Sequence, residues 1–101
     1  MLQYYVIRSL ADETTSDIWN GVNSKAARRI PRDLWLIVRR TLDQIDAVTR
    51  LEDLRVLPGN RLHGLVGDLV GRSAIRVNDQ YRVIFRFEGH DAYDVRCTDY
   101  H

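Results

Sequence analysis

Tyr81-Arg82-Val83-Ile84-Phe85-Arg86-Phe87 decides how this chain folds. Aromatic and β-branched residues alternate with arginine, and a period of two belongs to an extended strand. Tyr81, Val83, Phe85 and Phe87 fall on one side; Arg82, Ile84 and Arg86 fall on the other. Such a strand needs partners, and both neighbours supply them. Upstream, Arg72 to Val77 reads as a second strand, with Asn78, Asp79 and Gln80 as the tight turn between the two. Downstream, Glu88, Gly89 and His90 make another turn, and Asp91 to Cys97 forms the last strand. Arg61 to Leu65 is also short and strand-like, and Gly67 to Gly71 is a glycine-bounded connection. Three strands joined by two short turns make an antiparallel meander.

Upstream of these strands the period changes to that of a helix between Pro31 and Val48. Leu34, Ile37, Val38, Leu42, Ile45 and Val48 recur at three- and four-residue steps and form one apolar stripe. Pro31 suits the first helical position, and Asp33 lies in the positive first turn. Arg32, Arg39, Arg40 and Asp43 fall off the stripe onto the solvent side. Leu51 to Leu54 adds a further helical turn, and Pro58-Gly59-Asn60 is a loop. At the start, Leu2 to Arg8 reads as an opening strand, ended by the cap-forming residues Asp12 to Ser16. A short helix is expected around Ile18 to Val22, with Trp19 against the body of the domain. The order of strand, helices, then strands predicts an α+β fold, a small antiparallel-meander sheet with helices packed on one face.

The bulk properties fit one domain spanning residues 1–101. The chain is 45% hydrophobic, enough for one modest core and too much for a disordered segment. No apolar run approaches the roughly 20 residues that span a bilayer. The N-terminus lacks the pattern of a secretory leader. Cys97 is the only cysteine, so no internal disulfide can form. A cytoplasmic protein with no membrane partner is expected.

Alternation assigns each strand residue to a face. Ser73, Ile75 and Val77 join the apolar side of the central strand, opposite Arg72, Ala74 and Arg76. On the last strand Tyr93, Val95 and Cys97 are expected in the core, with Ala92, Asp94 and Arg96 opposite. The second face then carries Arg72, Arg76, Arg82, Arg86 and Arg96, with Asp94 the one strand carboxylate to offset them. Net charge is only +1, yet Lys25 is the single lysine among 15 basic residues. Arginine forks match phosphate oxygens bidentately and stack on bases. An arginine-dominated sheet face points to a polyanionic partner.

His63, Asp99, Tyr100 and His101 could do chemistry. Imidazoles are matched to proton transfer at neutral pH, and a nearby arginine could stabilise charge developing on a phosphate. That set could serve phosphodiester cleavage without a metal, a ribose 2′-hydroxyl acting as nucleophile. The same residues admit structural roles: a packed histidine, an Asp99–arginine pair, a Tyr100 lid over the core. His63, His90, His101 and Cys97 show no metal-ligand spacing, and no glycine-rich phosphate loop is present, so neither metal nor cofactor is expected.

Several stretches in order carry a family resemblance. They are Arg61-Leu-His-Gly-Leu-Val-Gly-Asp-Leu-Val-Gly71, Ile75-Arg-Val-Asn78, Tyr81 to Phe87, Asp91-Ala-Tyr93 and the closing Asp99-Tyr100-His101. Together they resemble the HigB toxins of the RelE/ParE superfamily, from Ile7-Arg-Ser9 to the last residue. The resemblance implies a small sheet flanked by helices, acting as a ribosome-dependent mRNA endonuclease in the A site of the 70S ribosome. It implies silencing by a HigA-like helix-turn-helix antitoxin, through which alone operator DNA would be met. His63, Asp99, Tyr100 and His101 match the family's active-site positions, and Arg82 its phosphate-contacting arginine. Arg76, Arg86 and Arg96 join Arg82 as expected RNA contacts. One departure stands out: the family's usual His-Pro-Leu-Lys-Gly-Asp is His63-Gly-Leu-Val66-Gly-Asp68 here, followed by Leu69. Loss of that lysine, and the apolar Val66 and Leu69, keep two alternatives open. One is a ParE-like toxin that binds a protein such as DNA gyrase; the other is a degenerate toxin that binds only its antitoxin.

Overall fold

The computed structural model describes residues 6–48, 50–55, 62–64 and 71–99, except the side chains of Arg55 and His63. It is an α+β fold. Helices α1 (Glu13–Trp19), α2 (Trp35–Ala47) and α3 (Leu51–Arg55) precede strands β1 (His63–Gly64), β2 (Arg72–Arg76), β3 (Tyr81–Glu88) and β4 (Asp91–Asp99). The four strands form one antiparallel sheet in the order β1-β2-β3-β4.

The central alternation is as read. Tyr81, Val83 and Phe85 are buried against Val38, Leu42 and Ile45 of α2, with Ile75, Val95 and Cys97 beside them. Arg82 and Arg86 lie on the other face, where Ala74 and Ile84 form a small separate apolar cluster. Side-chain chemistry closes the β2–β3 turn: the Asn78 carboxamide oxygen accepts from the backbone N–H groups of Gln80 (2.9 Å) and Tyr81 (2.8 Å). An Asn that bonds its own downstream backbone mimics a turn before the strands pair.

Two boundaries and one stripe position differ from expectation. The first helix starts at Glu13, not near Ile18, because Asp12 is its N-cap and accepts from Thr15 N–H at 2.8 Å. Thr14 and Thr15 are buried, and long-range partners satisfy their hydroxyls. Thr14 donates to the Ala26 carbonyl (2.8 Å), while the Thr15 hydroxyl accepts from Cys97 N–H (2.9 Å). Pro31 is not the first residue of α2; a 3₁₀ turn at Arg32–Leu34 comes between them. The indole of Trp35 donates to the Ile30 carbonyl at 2.9 Å across this turn. Of the predicted stripe, Leu34, Val38, Leu42 and Ile45 are buried and Val48 packs against the core, but Ile37 is 41% exposed. Thr41 takes a place on the buried side, donating its hydroxyl to the Ile37 carbonyl one turn back (2.9 Å). Leu36 is 62% exposed on the same turn.

The opening segment, where described, forms no strand of its own. It runs parallel to β4 through bridges Ile7–Ala92 and Leu10–Val95, so it protects the first half of that edge. Asp46 of α2 holds it by accepting from Ile7 N–H at 2.9 Å. Residues 2–5 of the expected strand, Arg61 and Leu65 of the next, and the loop Pro58-Gly59-Asn60 lie outside the described residues. No helix among the described residues is long and apolar enough to cross a membrane.

The largest correction concerns β4. Register between β3 and β4 shifts by one between Ile84 and Arg86, leaving two β4 residues opposite Phe85. Asp94 absorbs the extra residue at a positive φ of 55°. Its N–H donates to the Ser9 hydroxyl at 2.8 Å, so the opening segment holds the bulge in place. Every side chain before the bulge changes face. Ala92 is fully buried opposite Phe87, and Tyr93 stands opposite Arg86 on the arginine face.

Candidate nucleic-acid interface

The strand register turns the arginine face into three cross-strand rows. At the turn end, Arg76 lies opposite Arg82, which lies opposite Thr98. In the middle, His63, Ala74, Ile84 and Arg96 follow one another across all four strands. At the bulge end stand Arg72, Arg86 and Tyr93. Alternate residues along a strand are about 6.6 Å apart, which puts the outer rows about 13 Å from each other.

At the turn end the arginines are held by the β2–β3 turn. Arg82 Nη1 donates to the carbonyls of Asn78 (2.5 Å) and Tyr81 (3.2 Å). Arg76 pairs with Asp79, an exposed carboxylate. Asp99 sits at the same end, opposite Tyr81 in register, and its Oδ2 accepts from the Gln80 side chain at 2.9 Å. Asp99 also lines a cleft of about 310 Å³ with Asp12, Arg29, Tyr81 and Thr98, where α1 and the 3₁₀ turn Ala27–Arg29 overhang the end of β4. Cys97 borders this cleft from the core side. Burial, reinforced by the Asp12 charge, pushes its thiol up to about 12, so it stays protonated and unreactive at neutral pH.

At the bulge end the arginines are balanced differently. Arg86 pairs with Glu88 at 2.6 Å and lies 3.8 Å from Asp94, which also faces Arg72 at 3.6 Å. The hydrogen bond to Glu88 raises the Arg86 pKa, so its charge is secure. Its guanidinium carbon also lies 4.7 Å from the centre of the Tyr93 ring, a cation–π stack. The face is therefore less one-sided than strand alternation suggested. Asp79 and Glu88 offset it together with Asp94, because turn residues reach back over the strands. Arg96 in the middle row has no ion-pair partner among the described residues.

The expected site residues thus divide. Arg76 and Arg82 share the turn-end row of the arginine face; Asp99 lies at the same end of the sheet but, opposite Tyr81, on its helix side, and Arg86 belongs to the opposite row. His63 is placed on β1, in the same row as Arg96 but three strand spacings from β4, about 14 Å away. The His63 side chain, Val66, Leu69, Tyr100 and His101 lie outside the described residues. Sequence alternation missed Tyr93 on this face and Gln80 as the partner of Asp99. The one sequence signal for the former is that Asp tolerates a left-handed conformation better than most residues.

Comparison with known proteins agrees with this architecture. A family model for "RelE-like toxin of type II toxin-antitoxin system HigB" matches residues 9–101. Toxin HigB-1 of Vibrio cholerae is 43% identical over 65 residues, covering 64% of this chain and 68% of that protein. An uncharacterised Haemophilus influenzae protein is 38% identical over 63 residues, 62% of each chain. Among solved structures, the YoeB dimer from Staphylococcus aureus superposes with a TM-score of 0.59 at 14% identity, covering 98% of this chain and 99% of that one. A YoeB/ParE toxin from Agrobacterium tumefaciens gives 0.57 at 13% identity, covering 92% and 98%. These two show a shared fold. The chain belongs to the HigB family of RelE-like toxins of type II toxin–antitoxin systems.

Proposed function

We propose that this toxin is a ribosome-dependent mRNA endonuclease that stops translation by cutting the message in the A site. The observation that supports this most is the turn end of the sheet. There Arg76 and Arg82 lie side by side on the sheet face, and β4 ends at the same edge with Asp99, which takes the Tyr81 side of the sheet and leads directly into Tyr100 and His101. Arg82, fixed by two backbone carbonyls, is preorganised to meet a phosphate without first ordering its side chain. Arg76 and Arg96 extend the contact along the RNA backbone, and Tyr100 stacks on or orients a nucleotide.

The reaction needs a base for the ribose 2′-hydroxyl and an acid for the departing 5′-oxygen. The 2′-oxygen then bonds to phosphorus as the P–O5′ bond breaks, giving a 2′,3′-cyclic phosphate and a 5′-hydroxyl. His63, Asp99 and His101 share these two roles, and Arg82 balances the charge on the phosphate. Val66 stands where relatives of this family carry a lysine, so this chain depends more heavily on Asp99, Tyr100 and His101. A HigA-like helix-turn-helix antitoxin silences the activity in a cytoplasmic complex.

The test is cleavage of message on a programmed 70S ribosome by wild type and by His101→Ala. Cleavage by wild type and loss of product from the variant are expected. Equal activity in both, or no product from wild type, would overturn the proposal.

A further inference from the structure

The bulge-end row has no part in the chemistry just described, yet it is built from residues suited to single-stranded RNA. Arg72, Arg86 and Tyr93 lie side by side across three strands. The two arginine side chains are about one-third exposed, 30% for Arg72 and 34% for Arg86. Tyr93 stands on this face only because β4 carries an extra residue at Asp94. Without the bulge it would point into the core and Ala92 would take its place. The bulge costs a positive φ at a non-glycine residue and interrupts the ladder. In exchange it delivers a tyrosine ring to a basic surface, with a guanidinium already stacked at 4.7 Å.

The formal charges of this cluster balance, Arg72 and Arg86 against Asp94 and Glu88, so what matters is how tightly the pairs are held. Here two arginines share Asp94 only through long contacts of 3.6 and 3.8 Å, and Glu88 takes the one short pair. Phosphate oxygens could replace such loose, solvent-screened pairs at little cost. An aromatic ring beside partly exposed arginines is the combination by which sheet surfaces hold unpaired bases, since every base offers a π-face and every nucleotide a phosphate. The row lies about 13 Å from Arg76 and Arg82, within reach of the same extended strand a few nucleotides away.

We infer that Arg72, Arg86 and Tyr93 form a second RNA subsite, where a base stacks on the Tyr93–Arg86 pair and its phosphate meets Arg72. The subsite holds the message a few nucleotides from the scissile phosphate at the Arg82 end. This inference rests on the endonuclease reading for the identity of the strand, but its binding chemistry can be measured separately.

The measurement is the affinity of the full-length toxin for two uncleavable 2′-O-methyl RNAs, an octanucleotide and a trinucleotide, read by fluorescence anisotropy. Wild type should bind the octanucleotide more tightly. Tyr93→Ala should weaken that binding about tenfold while leaving the trinucleotide unchanged. Tyr93→Trp should bind at least as well as wild type, and Arg72→Ala should lower the slope of log affinity against log salt by about one. Should Tyr93→Ala melt early, Tyr93→Leu keeps the apolar volume without the π-face and should show the same tenfold loss. Octanucleotide binding unaffected by Tyr93→Ala or Tyr93→Leu would overturn the inference. So would equal binding of both lengths by wild type, or an equal loss for duplex DNA of the octanucleotide's length. Tyr93-dependent binding without cleavage on programmed ribosomes would remove the endonuclease reading and leave the subsite standing. Cleavage with Tyr93 dispensable would do the reverse.

Discussion

The two ends of one sheet face use the same residue types to different effect. At the turn end Arg82 is fixed by backbone carbonyls, while Arg76 pairs with the exposed Asp79 carboxylate. At the bulge end Arg72 and Arg86 are held by a tyrosine ring and by partly exposed carboxylates. Backbone carbonyls cannot leave, so the first arrangement fixes a charge in position. Surface carboxylates exchange readily with solvent or another anion, so the second leaves charge available. A face with both can hold a reacting phosphate rigidly and grip the rest of a strand adaptably.

Beneath that face lies a core with no such latitude, and the largest expected effect breaks the contrast there. Phe85 is fully buried at the centre of the sheet, opposite the bulge. Phe85→Ala should cost about 3–5 kcal/mol of unfolding free energy, measured in denaturant. On the arginine face, Arg82→Ala should cost about 1–3 kcal/mol through its two bonds to turn carbonyls, yet lower message cleavage about 100- to 1000-fold. Arg82→Lys should recover little, since an ammonium cannot reproduce the guanidinium fork. A large stability loss in Arg82→Ala with cleavage intact would reverse the roles assigned to the two faces.

These two predictions concern the strand that sequence could read unaided. The alternation of Tyr81 to Phe87 is local, and each residue's face follows from its parity, so core and arginine face were both legible there. The fate of β4 was not. Tyr93 changes face because Asp94 N–H bonds to the hydroxyl of Ser9, 85 positions away, and no local pattern reports such a contact. The start of α1 was obscured for a related reason. Thr14 and Thr15 look like cap-forming surface residues until their hydroxyls find Ala26 and Cys97 across the fold. The charge balance was misjudged because only strand residues were weighed, and Asp79 and Glu88 act from turns and strand ends. Arg82 and Asp99 were identifiable as residue types in a motif; their convergence at one end of the sheet is a matter of register.

The bulge itself supplies the next test. Asp94→Gly removes the strain of a positive φ together with two long ion pairs, so the two effects should offset to within about 1 kcal/mol. Asp94→Ala keeps the strained backbone and loses the ion pairs, so it should be less stable than Asp94→Gly by about 1 kcal/mol or more. Thermal unfolding of the pair settles the sign. If alanine is the more stable, the bulge does not depend on its left-handed residue.

The smallest effect at neutral pH belongs to Cys97, between the core and the turn-end cleft. Its thiol titrates at about 12 in the folded protein against an ordinary 9.0, so below pH 9 both states are protonated and the group contributes nothing to pH dependence. Between 9 and about 12 the unfolded chain releases the proton and the folded chain keeps it. The unfolded state then binds fewer protons, and stability must fall as pH rises. Cys97→Ala removes this ionisation, so the stability difference between wild type and variant should be constant below pH 9 and shift against wild type above it. Native toxin at pH 8 should likewise resist iodoacetamide until denaturant is added. Rapid alkylation of the folded protein would mean that the cleft opens as far as Cys97, and that the bond from Cys97 N–H to the Thr15 hydroxyl is not holding that end of the sheet closed.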